Sequence, residues 1–323
     1  SGRWFTYHDI GEAGITIPTT IDLAYTLIIY LTTTMRSLFS LLLLFFSVVA
    51  SGQQPLPKQL RHFMQASASS PKEIPYGANT KAGHYVQATD AKIYYEVYGK
   101  GEPIVMLHGG IFGCTYELYR LIDSLSKKYL VIAVSTRGHG RSELGTQPIT
   151  YEQKANDVLA VINAVTKDSV TILGFSDGGY TGYKLASMHP EKVKKLVAIG
   201  ATELYPGLRN FSFDVKQALA LDSAYWKQQY LLMPEPKRLQ EMFTLLGNMY
   251  NQLTLDRAFF QTIQCPVLVM AGDRDASNPP QRVVSTAQMI PHSQLAIIPN
   301  CTHPVFLENF NAVWACVTPF LNQ

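Results

Sequence analysis

A sharp turn from a strand into a helix is the feature that most restricts how this chain can fold. Residues 170–172 read Val-Thr-Ile, residues 174–178 read Gly-Phe-Ser-Asp-Gly, and residues 180–189 have a helical pattern. Glycine on both sides of Ser176, two residues away, permits a turn in which larger side chains would collide. The serine hydroxyl would then stand at the N-terminal end of a helix, where the helix dipole favours developing negative charge. The segment therefore predicts a nucleophile elbow.

Short apolar runs alternate with helical stretches on both sides of this turn. A hairpin is predicted over residues 84–98, and later strands over residues 104–107, 130–134, 170–173, 193–199, 266–271 and 294–298. Helices are predicted between them, including residues 116–127, 151–166 and 309–321. This alternation is typical of a mostly parallel sheet with helices on both faces, which binds ligands at the carboxyl ends of its strands. We therefore expect an α/β fold with an eight-stranded sheet.

The segment 203–262 interrupts the alternation. It shows no clear strand, but it carries helical stretches and many aromatic residues, among them Phe211, Phe213 and Tyr250. We expect a small helical lid here, inserted between two parts of the core, residues 83–202 and 263–323. Most of its aromatic side chains are expected to pack in the lid's own core, and some would line a substrate pocket.

The N-terminal region has the features of an export signal. Met35 is the first methionine, Arg36 gives a basic start, residues 38–49 are almost entirely apolar, and residues 50–52 are small. The apolar run has about a dozen residues, fewer than the roughly 20 that a membrane-spanning helix needs. We expect a cleaved signal peptide at residues 35–52, no stable membrane anchor, and a periplasmic or secreted protein.

The flanking segments and the overall charge add further expectations. Residues 1–34 are interpreted as upstream sequence, and residues 53–82, rich in Pro, Ser, Ala and Lys, as a linker. A net charge of +3 without a cluster of Lys and Arg argues against binding of nucleic acid. The cysteines have no spacing typical of zinc sites, so neither a metal nor a cofactor is expected, and a Cys265–Cys316 bridge is left open. The oligomeric state is also left open.

A serine hydroxyl is a weak nucleophile and needs a base within hydrogen-bonding reach. Imidazole, with an unperturbed pKa of about 6.5, is suited to this role near neutral pH. Among the eight histidines, His303 alone lies just after the last predicted strand and before the final helix. It is therefore the expected base.

A carboxylate must orient that imidazole, and three candidates follow predicted strands. Asp275 lies four residues beyond the strand 266–271, which leaves room for a turn towards His303. Asp273 is expected to stabilise that turn through its own backbone. Glu203, after the strand 193–199, remains an alternative acid.

Two glycines after an earlier strand predict donors for a negatively charged oxygen. The sequence His-Gly-Gly-Ile at residues 108–111 follows the strand 104–107. Glycine lets backbone N–H groups approach a substrate oxygen closely. An N–H from Gly110 or Ile111, with the N–H of Asp177, would form an oxyanion hole.

The order of these motifs resembles the α/β-hydrolase superfamily over about residues 85–321. The resemblance rests on the motifs at residues 108–110, 137–142, 174–179, 272–275 and 302–304. It implies the α/β-hydrolase fold, with Ser176 as nucleophile, Asp275 as acid and His303 as base. The aspartate directly after the nucleophile, here Asp177, is a feature in which the chain resembles esterases and lactonases of the valacyclovir hydrolase and enol-lactonase type.

This resemblance implies hydrolysis of a small-molecule carboxylic ester, thioester or lactone through an acyl-enzyme on Ser176. The same triad would also serve a proline iminopeptidase-like aminopeptidase, a C–C bond hydrolase or a perhydrolase. A catalytically dead binding module is a further alternative. An aminopeptidase would use acidic lid residues to hold an α-amino group, and the lid offers Asp214, Asp222, Glu235, Glu241 and Asp256.

Overall fold

The computed structural model describes Pro57, residues 59–66 and residues 74–323. The upstream segment 1–34 and the signal peptide 35–52 lie outside the described residues. Both interpretations therefore stay predictions, as does the part of the linker that falls in the gaps.

An eight-stranded, mostly parallel sheet lies at the centre of the described chain, which confirms the expected fold class. Its strands are β1 (Gly83–Ala88), β2 (Ala91–Tyr98), β3 (Pro103–Leu107), β4 (Leu130–Val134), β5 (Val170–Phe175), β6 (Val193–Ile199), β7 (Val267–Gly272) and β8 (Ser293–Ile298). They pair in the order β1-β2-β4-β3-β5-β6-β7-β8. Strand β2 is antiparallel to β1 and β4, and all other neighbours are parallel.

The connections between the strands are largely helical. The α-helices are α1 (Tyr119–Leu125), α2 (Tyr151–Val165), α3 (Asp177–Met188), α4 (Val215–Leu221), α5 (Ser223–Leu232), α6 (Leu239–Gln252), α7 (Arg257–Phe260), α8 (Pro280–Met289), α9 (Val305–Glu308) and α10 (Phe310–Leu321). Short 3₁₀ helices span Thr115–Leu118, Pro190–Lys192 and Pro236–Arg238.

The central strands are apolar because helices cover them on both sides. Every residue of β5 and of β7 is buried, so neither face of these strands meets solvent. Helix α3 packs on β5 and β6, α1 on β4, and α8 on β7 and β8. The sheet and its helices thus form a rigid platform whose strand ends carry the loops described below.

Two predicted helices differ from the observed ones by more than one residue at an end. The helix predicted over residues 116–127 is divided into the 3₁₀ turn Thr115–Leu118 and helix α1. The helix predicted to start at residue 180 starts at Asp177, because the elbow runs directly into it without a connecting loop. The strands β4 and β6 have the predicted bounds.

Between β6 and β7 the chain forms helices α4 to α7, in the segment expected to be a lid. Trp226 and Phe243 are buried there with ring centroids 5.3 Å apart. Phe112, from the loop after β3, contacts both rings edge-on. The aromatic cluster therefore joins the helical segment to the core.

Several other features bear on the expectations from the sequence. All four cysteines are free thiols, so the Cys265–Cys316 bridge that the sequence left open is absent. No helix within the described residues has the length and hydrophobicity to cross a membrane. Among the same residues, no group of three or more His, Cys, Asp or Glu side chains is arranged to hold a metal ion.

Candidate active site

Ser176 occupies a strained position between β5 and α3. Its backbone has φ = +50° and ψ = −112°, in a region that residues other than glycine rarely adopt. A Cβ atom at Gly174 would lie 2.3 Å from the carbonyl oxygen of Gly178, and one at Gly178 would lie 2.3 Å from that of Leu107. Both positions therefore require glycine, as the elbow pattern predicts.

The structure brings Ser176, His303 and Asp275 into one hydrogen-bonded chain. Nε2 of His303 lies 2.9 Å from Oγ of Ser176, and Nδ1 lies 2.7 Å from Oδ2 of Asp275. The His303 side chain is 31% exposed, whereas that of Asp275 is fully buried. The imidazole can thus reach both a nucleophile and a substrate, while the carboxylate can reach only the imidazole and its own loop.

The loop after β7 fixes the Asp275 carboxylate. Oδ1 accepts hydrogen bonds from the backbone N–H groups of Ser277 and Asn278, at 2.8 and 3.0 Å. Burial alone would raise the pKa of Asp275, but hydrogen bonds from His303 and Asn278 outweigh it and hold the pKa below its usual value. Asp275 is therefore ionised at neutral pH and orients the imidazole.

The two other candidate acids have different partners. Oδ1 of Asp273 accepts a hydrogen bond from the N–H of Cys301 at 3.1 Å, which ties together the loops that carry Asp275 and His303. The Glu203 carboxylate lies near the hydroxyl of Ser285, at 3.2 Å. Of the three acids that the sequence left open, Asp275 alone binds His303 among the described residues.

The loop that carries Gly110 and Ile111 is held from both sides. The carboxyl group of Glu117 accepts a hydrogen bond from the N–H of Gly109 at 2.6 Å, and burial raises the pKa of Glu117 to about 8. Nδ1 of His108 lies 2.7 Å from the carbonyl oxygen of Gly109. Gly110 and Ile111 line the same cavity as Ser176. The role of their N–H groups as oxyanion donors stays a prediction.

Asp177, the first residue of α3, has a buried side chain with two partners. The hydroxyl of Tyr151 donates to Oδ1 at 2.9 Å, and the ammonium group of Lys154 binds Oδ2. Burial raises the pKa of Asp177, but the opposing effect of its partners, above all the adjacent Lys154, is larger. The pKa of Asp177 therefore lies below its usual value. The carboxylate is thus neutralised within the protein, and Asp177 lines the same cavity as Ser176 at the N-terminus of the helix.

A cavity of about 330 Å³ opens over Ser176. Its walls are mostly apolar and come from the loop after β3, the helical segment between β6 and β7, and the His303 loop. From that helical segment come Leu204, Arg209, Phe211, Phe213 and Tyr250. A pocket of this size and lining suits a small, largely apolar substrate.

The chain before β1 also contributes to the cavity, which the sequence did not indicate. His62 and Phe63 line it, and the Phe63 ring stacks on Phe112 with centroids 4.5 Å apart. An ion pair from Arg61 to Asp222, at 3.0 Å, holds this segment against helix α5. These contacts lie within the segment that the sequence interpretation treated as a linker.

Comparisons with known proteins agree with this architecture. A sequence profile described as the alpha/beta hydrolase fold matches residues 103–240. The structure of a serine hydrolase involved in carbazole degradation superposes with a TM-score of 0.64 at 25% identity, over 74% of this chain and 98% of the other. The described chain thus has the α/β-hydrolase fold, and its sequence is similar to that superfamily. The family resemblance seen in the sequence is thereby confirmed.

Individual α/β-hydrolase relatives differ in what their names say they hydrolyse. A putative carbamate hydrolase of Azorhizobium caulinodans is 27% identical, over 66% of this chain and 88% of its own length. A pimeloyl-[acyl-carrier protein] methyl ester esterase of Chromobacterium violaceum is 26% identical, over 67% of this chain and 93% of its own length. These similarities support a hydrolase activity, and they leave the bond that is cleaved to be determined.

Proposed function

We propose that this protein is an exported serine hydrolase that cleaves a small carboxylic ester, thioester or lactone through an acyl-enzyme on Ser176. The observation that carries the proposal is the hydrogen-bonded chain from Ser176 through His303 to Asp275. It starts at a strained elbow beneath an apolar cavity. Such a chain is the arrangement that activates a serine hydroxyl for acyl transfer.

The proposed reaction has two halves. Oγ of Ser176 attacks the carbonyl carbon while its proton passes to Nε2 of His303, and Asp275 stabilises the resulting imidazolium. The tetrahedral intermediate then collapses: the bond to the leaving group breaks, and the leaving oxygen or sulfur takes the proton from His303. Water repeats the sequence on the acyl-enzyme, which releases the acid and restores Ser176.

The charge around the cavity favours esters and lactones over aminoacyl substrates. The acidic lid residues do not line the cavity; Asp214 and Asp256 cap helices, Asp222 binds Arg61, and Glu235 and Glu241 bind Arg238. The cavity-lining Asp177 is already paired with Lys154. Glu117 also lines the cavity, but its carboxyl group accepts the N–H of Gly109 and burial raises its pKa to about 8, so it is mostly uncharged at neutral pH. Among the described residues, no ionised carboxylate without a partner therefore lines the cavity, and the aminopeptidase alternative loses the feature that suggested it.

Export stays part of the proposal on sequence grounds alone. The basic start, short apolar run and small residues at 35–52 are those of a cleaved signal peptide. Expression from Met35 in a bacterial host, followed by fractionation and N-terminal sequencing, tests it. We expect mature protein in the periplasm or medium, and protein retained in the membrane with the segment attached would contradict export.

A substrate panel tests the activity. We would assay the purified protein on p-nitrophenyl esters of increasing acyl length, a thioester, several lactones, an aminoacyl-naphthylamide and a dienoic acid with a cleavable C–C bond. We expect turnover of at least one ester, thioester or lactone, and none of the aminoacyl compound. Turnover confined to the aminoacyl or C–C substrate would overturn the proposed bond specificity, while preserving the serine mechanism.

A further inference from the structure

Tyr250 has a buried hydroxyl group that finds no hydrogen-bond partner among the described residues. It lies on helix α6 and lines the cavity over Ser176. Its ring packs edge-on against Phe211, with centroids 5.1 Å apart, so its position is fixed. The hydroxyl oxygen is buried and makes no hydrogen bond to the described residues. A buried polar atom of this kind is rare, because it loses its bonds to water without replacement.

The Tyr250 hydroxyl lies against the backbone of the loop expected to form the oxyanion hole. A Cβ atom built on Gly110 would fall 2.0 Å from the hydroxyl oxygen. This oxygen is therefore in direct contact with Gly110. The amide of Ile111 and the carboxylate of Asp177 are close enough to affect its pKa. The hydroxyl thus lies beside all three residues expected to supply or flank oxyanion donors.

The electrostatic setting makes Tyr250 a hydrogen-bond donor. Burial raises its pKa well above the usual value, and the negative charge of Asp177 raises it further. The phenol therefore keeps its proton at neutral pH. The nearby carboxylate of Asp177 binds Tyr151 and Lys154, and the Tyr250 hydroxyl makes no hydrogen bond to it. A ligand oxygen in the cavity would provide the acceptor that the described residues do not supply.

We propose that the Tyr250 hydroxyl donates a hydrogen bond to the substrate's carbonyl oxygen. This hydrogen bond becomes stronger as negative charge develops on that oxygen in the transition state. The hydroxyl would join the N–H groups of Ile111 and Asp177 as a third donor, supplied by the lid. The inference rests on the proposed function, since it assigns a role in the same acyl transfer. It makes Tyr250 a catalytic residue and makes the rate dependent on the placement of helix α6.

The Tyr250→Phe variant tests this role by removing a single oxygen atom. Since the ring and its packing remain, the fold should be unchanged, as thermal unfolding would verify. We expect kcat to fall about 100- to 1,000-fold, the range found for loss of one oxyanion donor, with KM changed little. The matched control is Tyr230→Phe, on the lid helix α5 and not among the cavity-lining residues, which should leave kcat unchanged.

A second measurement does not depend on knowing the substrate. A fluorophosphonate reacts with an activated serine, and the phosphoryl oxygen of the reaction's transition state requires the same donors. We expect Tyr250→Phe to slow labelling of Ser176 by a factor similar to its effect on kcat. Equal labelling rates in wild type and Tyr250→Phe, or kcat within twofold of wild type, would overturn the role of Tyr250. Absence of labelling in the wild type would instead overturn the proposed function itself.

Discussion

Nδ1 of His303 lies 2.7 Å from Oδ2 of Asp275, across two loops that follow neighbouring parallel strands. Because β7 and β8 end at the same edge of the sheet, their following loops meet there. The carboxylate is buried and receives further hydrogen bonds from its own loop, so it can turn only towards the imidazole. This contact fixes which ring nitrogen faces Ser176.

Substitution of the acid should therefore slow hydrolysis without abolishing it. In Asp275→Asn the side chain keeps its shape but cannot stabilise imidazolium, and the loss in kcat should be about 10⁴-fold. His303→Ala should cost more, up to about 10⁶-fold, because the base itself is removed. Steady-state kinetics on the best ester of the panel would measure both.

Glu203→Gln is the control for that series, because Glu203 binds Ser285 and not His303. It should leave kcat within about twofold of wild type. A fully active Asp275→Asn variant beside an inactive Glu203→Gln variant would show that the acid lies after β6.

The segment before β1 should influence which acyl chains are accepted. Phe63 stacks on Phe112 and lines the cavity. Phe63→Ala should enlarge the cavity, raising kcat/KM for long acyl chains relative to short ones by about tenfold, the size of a one-methylene effect in an apolar pocket. Met64→Ala is the matched control, because the Met64 side chain is 62% exposed. A chain-length profile of Phe63→Ala identical to that of wild type would exclude a role for this segment in selectivity.

Stability should fall in mild acid because two histidines are buried without charge. Nε2 of His108 accepts a hydrogen bond from the N–H of Thr136 at 3.0 Å, which only the neutral ring can do. Burial lowers the pKa of His108 to about 3 and that of His139 to about 4. Between these values and the unfolded pKa of about 6.5, the unfolded state binds more protons, so the free energy of unfolding falls as pH falls.

Urea unfolding at about pH 7.5, 6.5 and 5.5 would measure this dependence. Each buried histidine should contribute a loss of about 1.4 kcal/mol per pH unit below about 6.5. His139→Gln should reduce the slope in that window, whereas His84→Gln, on the exposed part of β1, should not. An unchanged slope in His139→Gln would mean that His139 is charged in the folded protein.

Much of the fold could be predicted because its signals are local. The strands β4 and β6 are short runs of Val, Ile, Leu and Ala that end in turns, and their bounds were predicted correctly. The elbow could be recognised because steric limits at Gly174 and Gly178 leave a five-residue pattern in the sequence. Such constraints act between residues that are neighbours in the chain.

The remaining parts of the site depend on contacts between distant residues. The sequence left Asp275, Asp273 and Glu203 open as acids, because loop direction decides among them. Composition suggested a linker where Arg61 pairs with Asp222, 161 residues away. Tyr250 was one of many lid aromatics, and no local pattern shows that its hydroxyl reaches Gly110.

Covalent labelling of Ser176 tests the central claim most directly. The purified protein would be treated with a fluorophosphonate and analysed by intact mass and peptide mapping, beside Ser176→Ala and the control Ser187→Ala. Ser187 lies on the helix that follows Ser176, and its hydroxyl makes an exposed hydrogen bond with that of Thr262. The account predicts one adduct, on Ser176, in wild type and Ser187→Ala, and none in Ser176→Ala, which should also lose ester hydrolysis while remaining folded. A wild-type protein that stays unlabelled, or a Ser176→Ala variant that still hydrolyses esters, would contradict it.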